Sequence, residues 1–438
     1  MSLSPSFPSY AVPAVPVAAA VPAVSALPTR GPSAVQHRST TAALAVAALL
    51  LAAGCSSGGS GPGDSGASAS PSAQGHAGGT APSAPATGRP SPSAPPAKGS
   101  VKVVRTLTTG LKSPWGLAPL PGGDLLVSSR DTGKLLRISA DGGKQTEVGS
   151  VPGVAPGGEG GLLGIAVSPS FGTDHLVYAY FTTESDNRIA RMIYDDRKPR
   201  GAQLGAPDTV FKGIPKGQIH NGGRIAFGPD KMLYVGTGET GERGLAQDKK
   251  SPAGKILRMT PDGEPAHGNP EGDSVVYSYG HRNVQGLAWG PDKRLWASEF
   301  GQDTWDELNL IGPGKNYGWP EVEGRAADGG SSFVDPVAQW KTADASPSGI
   351  AYAKGSVWMA GLRGERLWRI PVGTPAAGPG GDVKPVAAPQ DFLKGAYGRL
   401  RTVVATDDGT GLWLVTSNTD GRGTPGKDDD RVLLLKVT

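Results

Sequence analysis

Residues 101–438 of this 438-residue chain predict an all-β fold, a six-bladed β-propeller. The chain contains 67 Gly and 40 Pro, the residues least compatible with an α-helix, and no stretch of this region follows a helical period. Short apolar strands instead alternate with turn residues, in a unit that occurs six times. One such sheet leaves two faces exposed, whereas six sheets arranged radially cover each other. The alternative interpretation is a two-sheet sandwich with loosely similar repeats.

Each unit begins with an inner strand such as Gly116-Leu117-Ala118, and two further apolar strands follow it. The equivalent inner-strand positions are separated by 48, 60, 62, 63 and 53 residues: Ala118, Ala166, Ala226, Ala288, Ala351 and Val404. Second strands are predicted at 125–127, 176–178, 233–235, 295–297, 357–359 and 412–415. Third strands are predicted at 134–138, 188–190, 255–259, 307–310, 366–370 and 432–435. We expect residues 101–107 to add an outer strand that closes the ring against the last unit.

The composition excludes several classes of function. The chain has one cysteine, which rules out a disulfide framework and a zinc or iron–sulfur site built from several cysteines. The formal net charge is +4, and residues 101–438 carry 39 basic and 38 acidic side chains. A domain with so little net charge does not bind nucleic acid by electrostatic attraction.

The single cysteine, Cys55, follows an apolar run of twelve residues, 42–53, that is too short to span a bilayer comfortably. This segment resembles a bacterial lipoprotein signal peptide, in which the cysteine becomes the lipidated amino terminus. The alternative is an apolar segment with a chance cysteine. Of the 45 residues 56–100, 38 are Ser, Gly, Pro or Ala, which is typical of a flexible spacer. We therefore expect a signal region at 1–54, lipidated Cys55 with a linker at 55–100, and a propeller at 101–438 that a lipid anchors to the outer face of the cell membrane.

Two histidines lie at the entrances to inner strands of neighbouring units. His220 stands in QIHNGGR at 218–224, and His281 stands in GHRNVQG at 280–286. Polar residues at the mouths of consecutive inner strands converge on the axis of a propeller, so this pair favours a functional role. The other two histidines of the region, His175 and His267, lie in turn segments and are expected to be solvated.

These motifs resemble those of the soluble quinoprotein glucose and aldose sugar dehydrogenases, the glucose/sorbosone dehydrogenase family, whose members use pyrroloquinoline quinone (PQQ). The resemblance covers residues 101–438. The matching segments are GGLLG at 160–164, QIHNGGR at 218–224, YGHRNVQG at 279–286, SEFG at 298–301, DELN at 306–309, NYGWP at 316–320 and GRLR at 398–401. Their order and spacing make chance a poor explanation.

The resemblance implies a role for each site residue. His220 matches the general base that takes the proton from the anomeric hydroxyl, and Arg282 matches the residue that stabilises charge at the quinone oxygen. Glu239 stands where an aspartate commonly orients the histidine, and Glu159 stands where a glutamine commonly lies close to sugar and cofactor. Further cofactor contacts are implied for Asn283, Gln285, Trp340, Arg363, Arg399 and Arg401. A guanidinium is suited to the carboxylates of PQQ.

The resemblance also implies two calcium ions, a metal that prefers hard oxygen ligands. The cofactor calcium would take the backbone carbonyls of Gly301 and Gln302, and a structural calcium would take Glu307 and the carbonyl of Tyr317. The expected function is PQQ- and calcium-dependent oxidation of an aldose at C1 to its lactone, with electrons passed to an external acceptor. Two alternatives remain at this point: a calcium-dependent lactonase on a similar propeller, and a non-catalytic propeller that binds glycans or a protein.

Overall fold

The structure, a computed structural model, describes residues 95–326, 332–372 and 385–438. In those ranges the regular structure is β-strand, apart from a four-residue helix, Phe171–Asp174, and one 3-10 turn, Arg243–Ala246. The strands form six four-stranded antiparallel sheets, so the predicted six-bladed β-propeller is confirmed. The expected signal region, Cys55 and most of the linker lie outside the described residues. No helix in the described ranges is both long and apolar enough to cross a membrane.

The strands follow one another along the chain from blade to blade. Those of the closing strand and the first two blades are β1 (Val101–Thr108), β2 (Pro114–Pro119), β3 (Leu125–Ser129), β4 (Lys134–Ile138), β5 (Gln145–Ser150), β6 (Leu162–Val167), β7 (Leu176–Thr182), β8 (Asn187–Ile193) and β9 (Asp208–Ile214). Those of the third and fourth blades are β10 (Arg224–Phe227), β11 (Leu233–Gly236), β12 (Lys255–Met259), β13 (Val276–Tyr279), β14 (Val284–Trp289), β15 (Leu295–Glu299), β16 (Trp305–Ile311) and β17 (Ala338–Lys341). Those of the last two blades are β18 (Pro347–Ala353), β19 (Ser356–Gly361), β20 (Leu367–Pro371), β21 (Gln390–Phe392), β22 (Leu400–Ala405), β23 (Gly411–Thr416) and β24 (Val432–Val437).

Strand β1 closes the ring, as the sequence predicted. It pairs antiparallel with β24, from Val101 opposite Val437 to Thr108 opposite Val432. The last blade therefore has the strand order β1-β24-β23-β22, and its outer strand comes from the other end of the propeller sequence. The inner strands contact each other in cyclic order, and β22 contacts β2.

The core lies between the blades. Six apolar clusters occur in the described residues, and each joins the facing sheets of neighbouring blades. Leu126 of the first blade and Phe181 of the second share one such cluster, and both are almost fully buried. Burial of a large aliphatic or aromatic side chain contributes about 1.5–3 kcal/mol. The stability of each sheet therefore depends on its two neighbours.

The inner strands approach one another closely at one position that recurs in every blade. This position lies two residues before Ala118 in the first blade and before its equivalents in the other five. Four of the six blades have glycine there: Gly116, Gly164, Gly286 and Gly349. A Cβ on Gly116 would lie 2.8 Å from the carbonyl oxygen of Leu163 in the next blade. The third and sixth blades instead have Arg224 and Thr402, which face each other across the ring, with Arg224 Nη2 3.0 Å from Thr402 Oγ1. The guanidinium of Arg224 thus extends across the axis of the ring, from the inner strand of the third blade to that of the sixth.

Candidate active site

His220 and Glu239 form a hydrogen-bonded pair at the entrance to β10. Nδ1 of His220 lies 2.7 Å from Oε1 of Glu239, and the second carboxylate oxygen of Glu239 accepts from the backbone N–H of Gly241. A carboxylate only accepts, so in the neutral imidazole the hydrogen is on Nδ1 and the lone pair is on Nε2. Within the described residues Nε2 has no hydrogen-bond partner. The predicted orienting contact is therefore present with glutamate in place of aspartate, and Nε2 can accept a proton.

Glu159 lies beside this pair. Its Oε2 accepts from the backbone N–H of His220 at 2.8 Å, and its Oε1 pairs with Nη2 of Arg422 at 2.7 Å. His220 has a left-handed φ of 55°, which turns its N–H towards Glu159 while its imidazole faces Glu239. The two glutamates that depart from the family pattern thus both contact His220.

His281 differs from His220 in having no free nitrogen. It is completely buried, with Nδ1 2.7 Å from Oε2 of Glu299 and Nε2 2.8 Å from Oγ of Ser278. Its ring stacks on Tyr317 with 4.7 Å between the centroids. His281 is therefore a packed structural residue, which agrees with the choice of His220 as the base.

Arg282 lies between β13 and β14 with its guanidinium held from two sides. Its Nη1 donates to the carbonyl of Gly301 at 2.5 Å, and its guanidinium carbon lies 5.4 Å from the ring centroid of Trp319. Nε is buried and has no partner in the described part of the chain. Burial lowers the pKa of Arg282, and the nearby charges of Glu239 and Glu323 oppose that shift. The backbone N–H of Glu239 donates to the carbonyl of Arg282 at 2.9 Å, so this cation lies beside the His220 pair.

Asn283 and Gln285 contact residues of other blades. Oδ1 of Asn283 accepts from the N–H of Gly222 at 3.0 Å, in the segment that follows His220. Oε1 of Gln285 accepts from Nη1 of Arg401 at 3.1 Å and from the hydroxyl of Ser348 at 3.0 Å. These two residues therefore join the histidine segment to the arginines of the last blade.

Arg399 and Arg401 share one carboxylate, Asp420. Each guanidinium has Nη2 2.9 Å from Oδ2 of Asp420, and all three residues are buried. Burial raises the pKa of Asp420, but the charges of Arg401 and Arg399 outweigh it and hold this pKa below its ordinary value. Burial lowers the pKa of Arg401 to about 10, and the nearby Arg399 adds to the shift.

A further buried guanidinium adds to this positive charge. Burial lowers the pKa of Arg224 to about 9, and repulsion from Arg401 acts in the same direction. Arg224 and Arg401 both lie over the ring of Trp115, with their guanidinium carbons 4.3 and 5.8 Å from its centroid. Buried cations that outnumber the carboxylate between them form a site for an anion.

Arg363 and Trp340 were also expected to contact the cofactor. Arg363 is exposed, between β19 and β20, and its contact with the cofactor stays a prediction. Trp340 is on β17, the outermost strand of the fourth blade, where it is 7% exposed and packs 5.6 Å from Trp368. The structure thus gives Trp340 a packing role between blades, and its role over the cofactor ring stays a prediction.

The loop with Gly301 and Gln302 is fixed by two carboxylates. Oε1 of Glu323 accepts from four consecutive backbone N–H groups at 2.7–3.1 Å: those of Gln302, Asp303, Thr304 and Trp305. Burial raises the pKa of Glu323, but these hydrogen bonds outweigh that effect and hold the pKa below its ordinary value. Oδ1 of Asp306 accepts from the N–H of Gly301 at 3.0 Å. Both predicted carbonyl ligands therefore lie in a turn that hydrogen bonds hold in place.

Glu307 and Glu299 form a buried acidic pair beside the segment of Tyr317. Oε2 of Glu307 and Oε2 of Glu299 lie 2.9 and 3.4 Å from the same atom, Nδ2 of Asn309. Oδ1 of Asn309 is buried without a partner among the residues that the structure describes. Burial raises the pKa of Glu307, and the charge of Glu299 raises it further.

Sequence reasoning did not single out Asp420, Glu323 or Arg422. Each acts through contacts with residues that are distant along the chain or through turn geometry, and none belongs to a matched motif. Glu299 and Asp306 do stand inside matched motifs, in SEFG and DELN, although no role was assigned to them.

The comparisons with known proteins agree with this geometry. The family model described as glucose/sorbosone dehydrogenase matches residues 111–433. A PQQ-bound aldose sugar dehydrogenase of known structure from Streptomyces coelicolor is 70% identical to the chain. That likeness covers 79% of this chain and 100% of the other, with a TM-score of 0.75.

Two curated relatives are more distant. Quinoprotein glucose dehydrogenase B of Acinetobacter calcoaceticus is 31% identical over 285 residues, which are 57% of this chain and 59% of that protein. Aldose sugar dehydrogenase YliI of Escherichia coli is 31% identical over 273 residues, which are 57% of this chain and 72% of that protein.

Proposed function

The chain belongs to the glucose/sorbosone dehydrogenase family, and from this premise we propose that it is a PQQ-dependent sugar dehydrogenase. It oxidises an aldose at C1 to the lactone and passes the electrons to an external acceptor. The observation that carries the proposal is the His220–Glu239 pair next to Arg282, in which Nε2 has no hydrogen-bond partner among the described residues. A positioned base and a cation in one site suit the removal of a proton from a hydroxyl group and of a hydride from the carbon that bears it.

The buried arginines fit PQQ, which carries three carboxylates. Arg399 and Arg401 have one carboxylate, Asp420, between them, and Arg224 adds a third buried guanidinium close to Arg401. Because desolvation makes an uncompensated cation costly, a bound polyanion would stabilise this arrangement. Asn283 and Gln285 lie between the arginines and His220, where they would contact the same ligand.

The chain's own residues account for the movement of the proton. PQQ, when bound, supplies the quinone that takes the hydride from C1. Nε2 of His220 accepts the proton of the anomeric hydroxyl, and the carboxylate of Glu239 stabilises the imidazolium that results. Arg282, which Gly301 and Trp319 hold in place, supplies positive charge in the same site.

Calcium fits the remaining oxygen atoms. In the described residues no group of three or more His, Cys, Asp and Glu side chains is arranged to hold a metal, so a cation there must use carbonyl and amide oxygens as well. A calcium ion at the Gly301 carbonyl would share this oxygen with Arg282, which already donates to it. The unpartnered oxygen of Asn309 beside the buried Glu307 and Glu299 supports a second calcium in which Glu307 is a ligand.

Reconstitution tests the proposal. The apoprotein is mixed with PQQ and calcium, and reduction of an artificial electron acceptor is followed after an aldose is added. We expect acceptor reduction that requires sugar, PQQ and calcium together. Hydrolysis of a lactone without PQQ would favour the lactonase alternative, and sugar binding without oxidation would favour the binding propeller.

A matched pair of arginine variants tests the cofactor site in the same assay. Arg399→Ala should weaken PQQ binding by about 1.5–3 kcal/mol, the range for a hydrogen bond to a charged group. Arg197→Ala removes an equal charge from the outside of the second blade, where Arg197 is exposed and pairs with Asp195, and should bind PQQ as the wild type does. Equal affinities for all three proteins would contradict the assignment of Arg399.

A further inference from the structure

The carboxylate of Glu159 is a negative charge in a site that the proposed function assigns to an anion. Its Oε2 is fixed by the backbone N–H of His220 at 2.8 Å, and its backbone N–H donates to the carbonyl of Gln218 at 2.9 Å. Glu159 therefore cannot turn away from the histidine without giving up a hydrogen bond. Glutamine, which is common at this position in the family, would make the same contact without a charge. A compensating cation is required if the carboxylate is to remain.

Arg422 supplies that cation from the last blade. Its Nη2 lies 2.7 Å from Oε1 of Glu159, whereas the N–H of His220 donates to the other oxygen, Oε2. The side chain of Glu159 is 21% exposed and that of Arg422 is 60% exposed, so the ion pair lies at the rim of the site. Arg422 comes from the segment between β23 and β24, whereas Glu159 lies just before β6. The pair therefore joins the last blade to the second across the mouth of the site.

The backbone of Arg422 is fixed by the carboxylate that holds the two buried arginines. Oδ1 of Asp420 accepts from the N–H of Arg422 at 2.9 Å, while Oδ2 accepts from Arg399 and Arg401. Asp420 thus sets the position of three arginines at once. The same carboxylate therefore fixes the backbone of Arg422 and the side chains of Arg399 and Arg401, which are the proposed cofactor contacts.

We propose that Arg422 is a charge-compensating positioning residue, whose ion pair with Glu159 neutralises the carboxylate beside His220 so that an anionic cofactor can bind next to it. This inference rests on the proposed function, because the ligand concerned is PQQ. An exposed ion pair adds little to the stability of a fold. Its effect here is on binding, since an uncompensated charge acts on a trianion over a distance of many ångströms in a partly buried site.

A double-mutant cycle on PQQ affinity tests the proposal. The proteins are the wild type, Arg422→Ala, Glu159→Gln and the double variant, with Arg197→Ala as the charge-matched control. PQQ is titrated into each apoprotein with calcium present, and the quenching of tryptophan fluorescence gives the dissociation constant. Thermal unfolding of each apoprotein verifies that it is folded.

We expect Arg422→Ala to bind PQQ at least about tenfold more weakly than the wild type. The double variant should bind within about threefold of the wild type, because neither charge remains. Glu159→Gln should do the same, because the Arg422 side chain that it releases is 60% exposed and solvent screens its charge. If Arg422→Ala weakened binding equally in the wild type and in the Glu159→Gln background, the proposal would be overturned, since Arg422 would then act on PQQ directly. Unchanged affinity in Arg422→Ala would also overturn it. In both cases the wild type still binds PQQ, whereas a wild type that binds none overturns the proposed function and this inference together.

Discussion

His220 and His281 each have a glutamate on Nδ1, yet within the part of the chain that the structure describes only His220 has no partner on the other ring nitrogen. The difference arises from burial and from one hydroxyl. His281 is completely buried and its Nε2 bonds to Ser278, whereas the imidazole of His220 is 13% exposed. A base must reach the proton that it removes, so only the arrangement at His220 permits catalysis.

The first prediction concerns His220 in the reconstituted enzyme. His220→Gln should bind PQQ and calcium as the wild type does, because the base does not contact the arginines or the calcium ligands. The turnover number should fall by about 10²–10⁴-fold, the usual contribution of a positioned base. Glu239→Gln should also slow turnover, because an amide that donates to Nδ1 leaves the hydrogen on Nε2. Single-turnover reduction of bound PQQ by sugar measures both effects.

His281 provides the control for that experiment. His281→Ala should lower the stability of the fold, because it leaves Glu299 buried without its partner and removes the ring that stacks on Tyr317. Sugar-dependent reduction that is intact in His220→Gln but lost in a folded His281→Ala would contradict the assignment of the base.

Among the individual residues of the site, the sequence predicted those that lie in motifs and missed those whose partners are far away along the chain. Glu239 follows His220 by 19 residues and could be matched by pattern. Asp420 has no such pattern, because its importance depends on two arginines 21 and 19 residues before it that converge on one oxygen. The side chains at 399 and 401 are two positions apart and leave the same side of the chain, but that spacing does not identify the carboxylate that they share.

At the level of elements, the turn at 301–305 shows how a loop can be made rigid without regular structure. Four consecutive backbone N–H groups donate to Oε1 of Glu323, so their N–H bonds all point towards one atom. Such a nest of N–H groups binds a carboxylate strongly. The carbonyl of Gly301, which faces Arg282, belongs to this turn.

The second prediction concerns that turn. Glu323→Ala leaves four N–H groups without an acceptor and should loosen the turn, with a loss of calcium affinity and of calcium-dependent PQQ binding. Glu323→Gln keeps an oxygen acceptor and should recover part of the loss, because only the charge of the carboxylate is removed. Calcium titration followed by calorimetry, with and without PQQ, measures the change. Equal calcium affinity in Glu323→Ala and the wild type would show that the turn does not depend on Glu323.

Apart from the closing strand β1, the strands that the sequence predicted are the inner three of each blade, and their burial explains why. Strands such as β3 and β7 are buried along nearly their whole length, so they are apolar runs that a pattern detects. The outermost strands are not: β9 exposes four of its seven residues, and β21 has three residues of which none is buried. An edge strand of a blade has polar residues on its solvent side and no distinctive periodicity.

At the level of the whole molecule, the closed ring makes the neighbouring blades interdependent. Each apolar cluster in the described residues has contributions from neighbouring sheets, and β1 completes the last blade from the start of the domain. The repeat spacing in the sequence was sufficient to predict six blades and the closing strand. It could not predict which polar side chains cross between blades, because those contacts depend on how far apart the inner strands lie.

The last prediction concerns the close approach of the inner strands. A Cβ on Gly164 would overlap the backbone carbonyl of Gly223 in the next blade, and one on Gly286 would overlap that of Ser348. A backbone carbonyl cannot rotate away as a flexible side chain can, so the blades must separate. We expect Gly164→Ala and Gly286→Ala each to lower the free energy of unfolding by roughly 1–3 kcal/mol, the usual effect of overpacking. Gly172→Ala is the matched control, because a Cβ there meets no atom within 4 Å. Denaturant unfolding of the three apoproteins measures these free energies. Equal stability of Gly164→Ala and Gly172→Ala would contradict the prediction, because it would show that the blades can move apart at little cost in free energy.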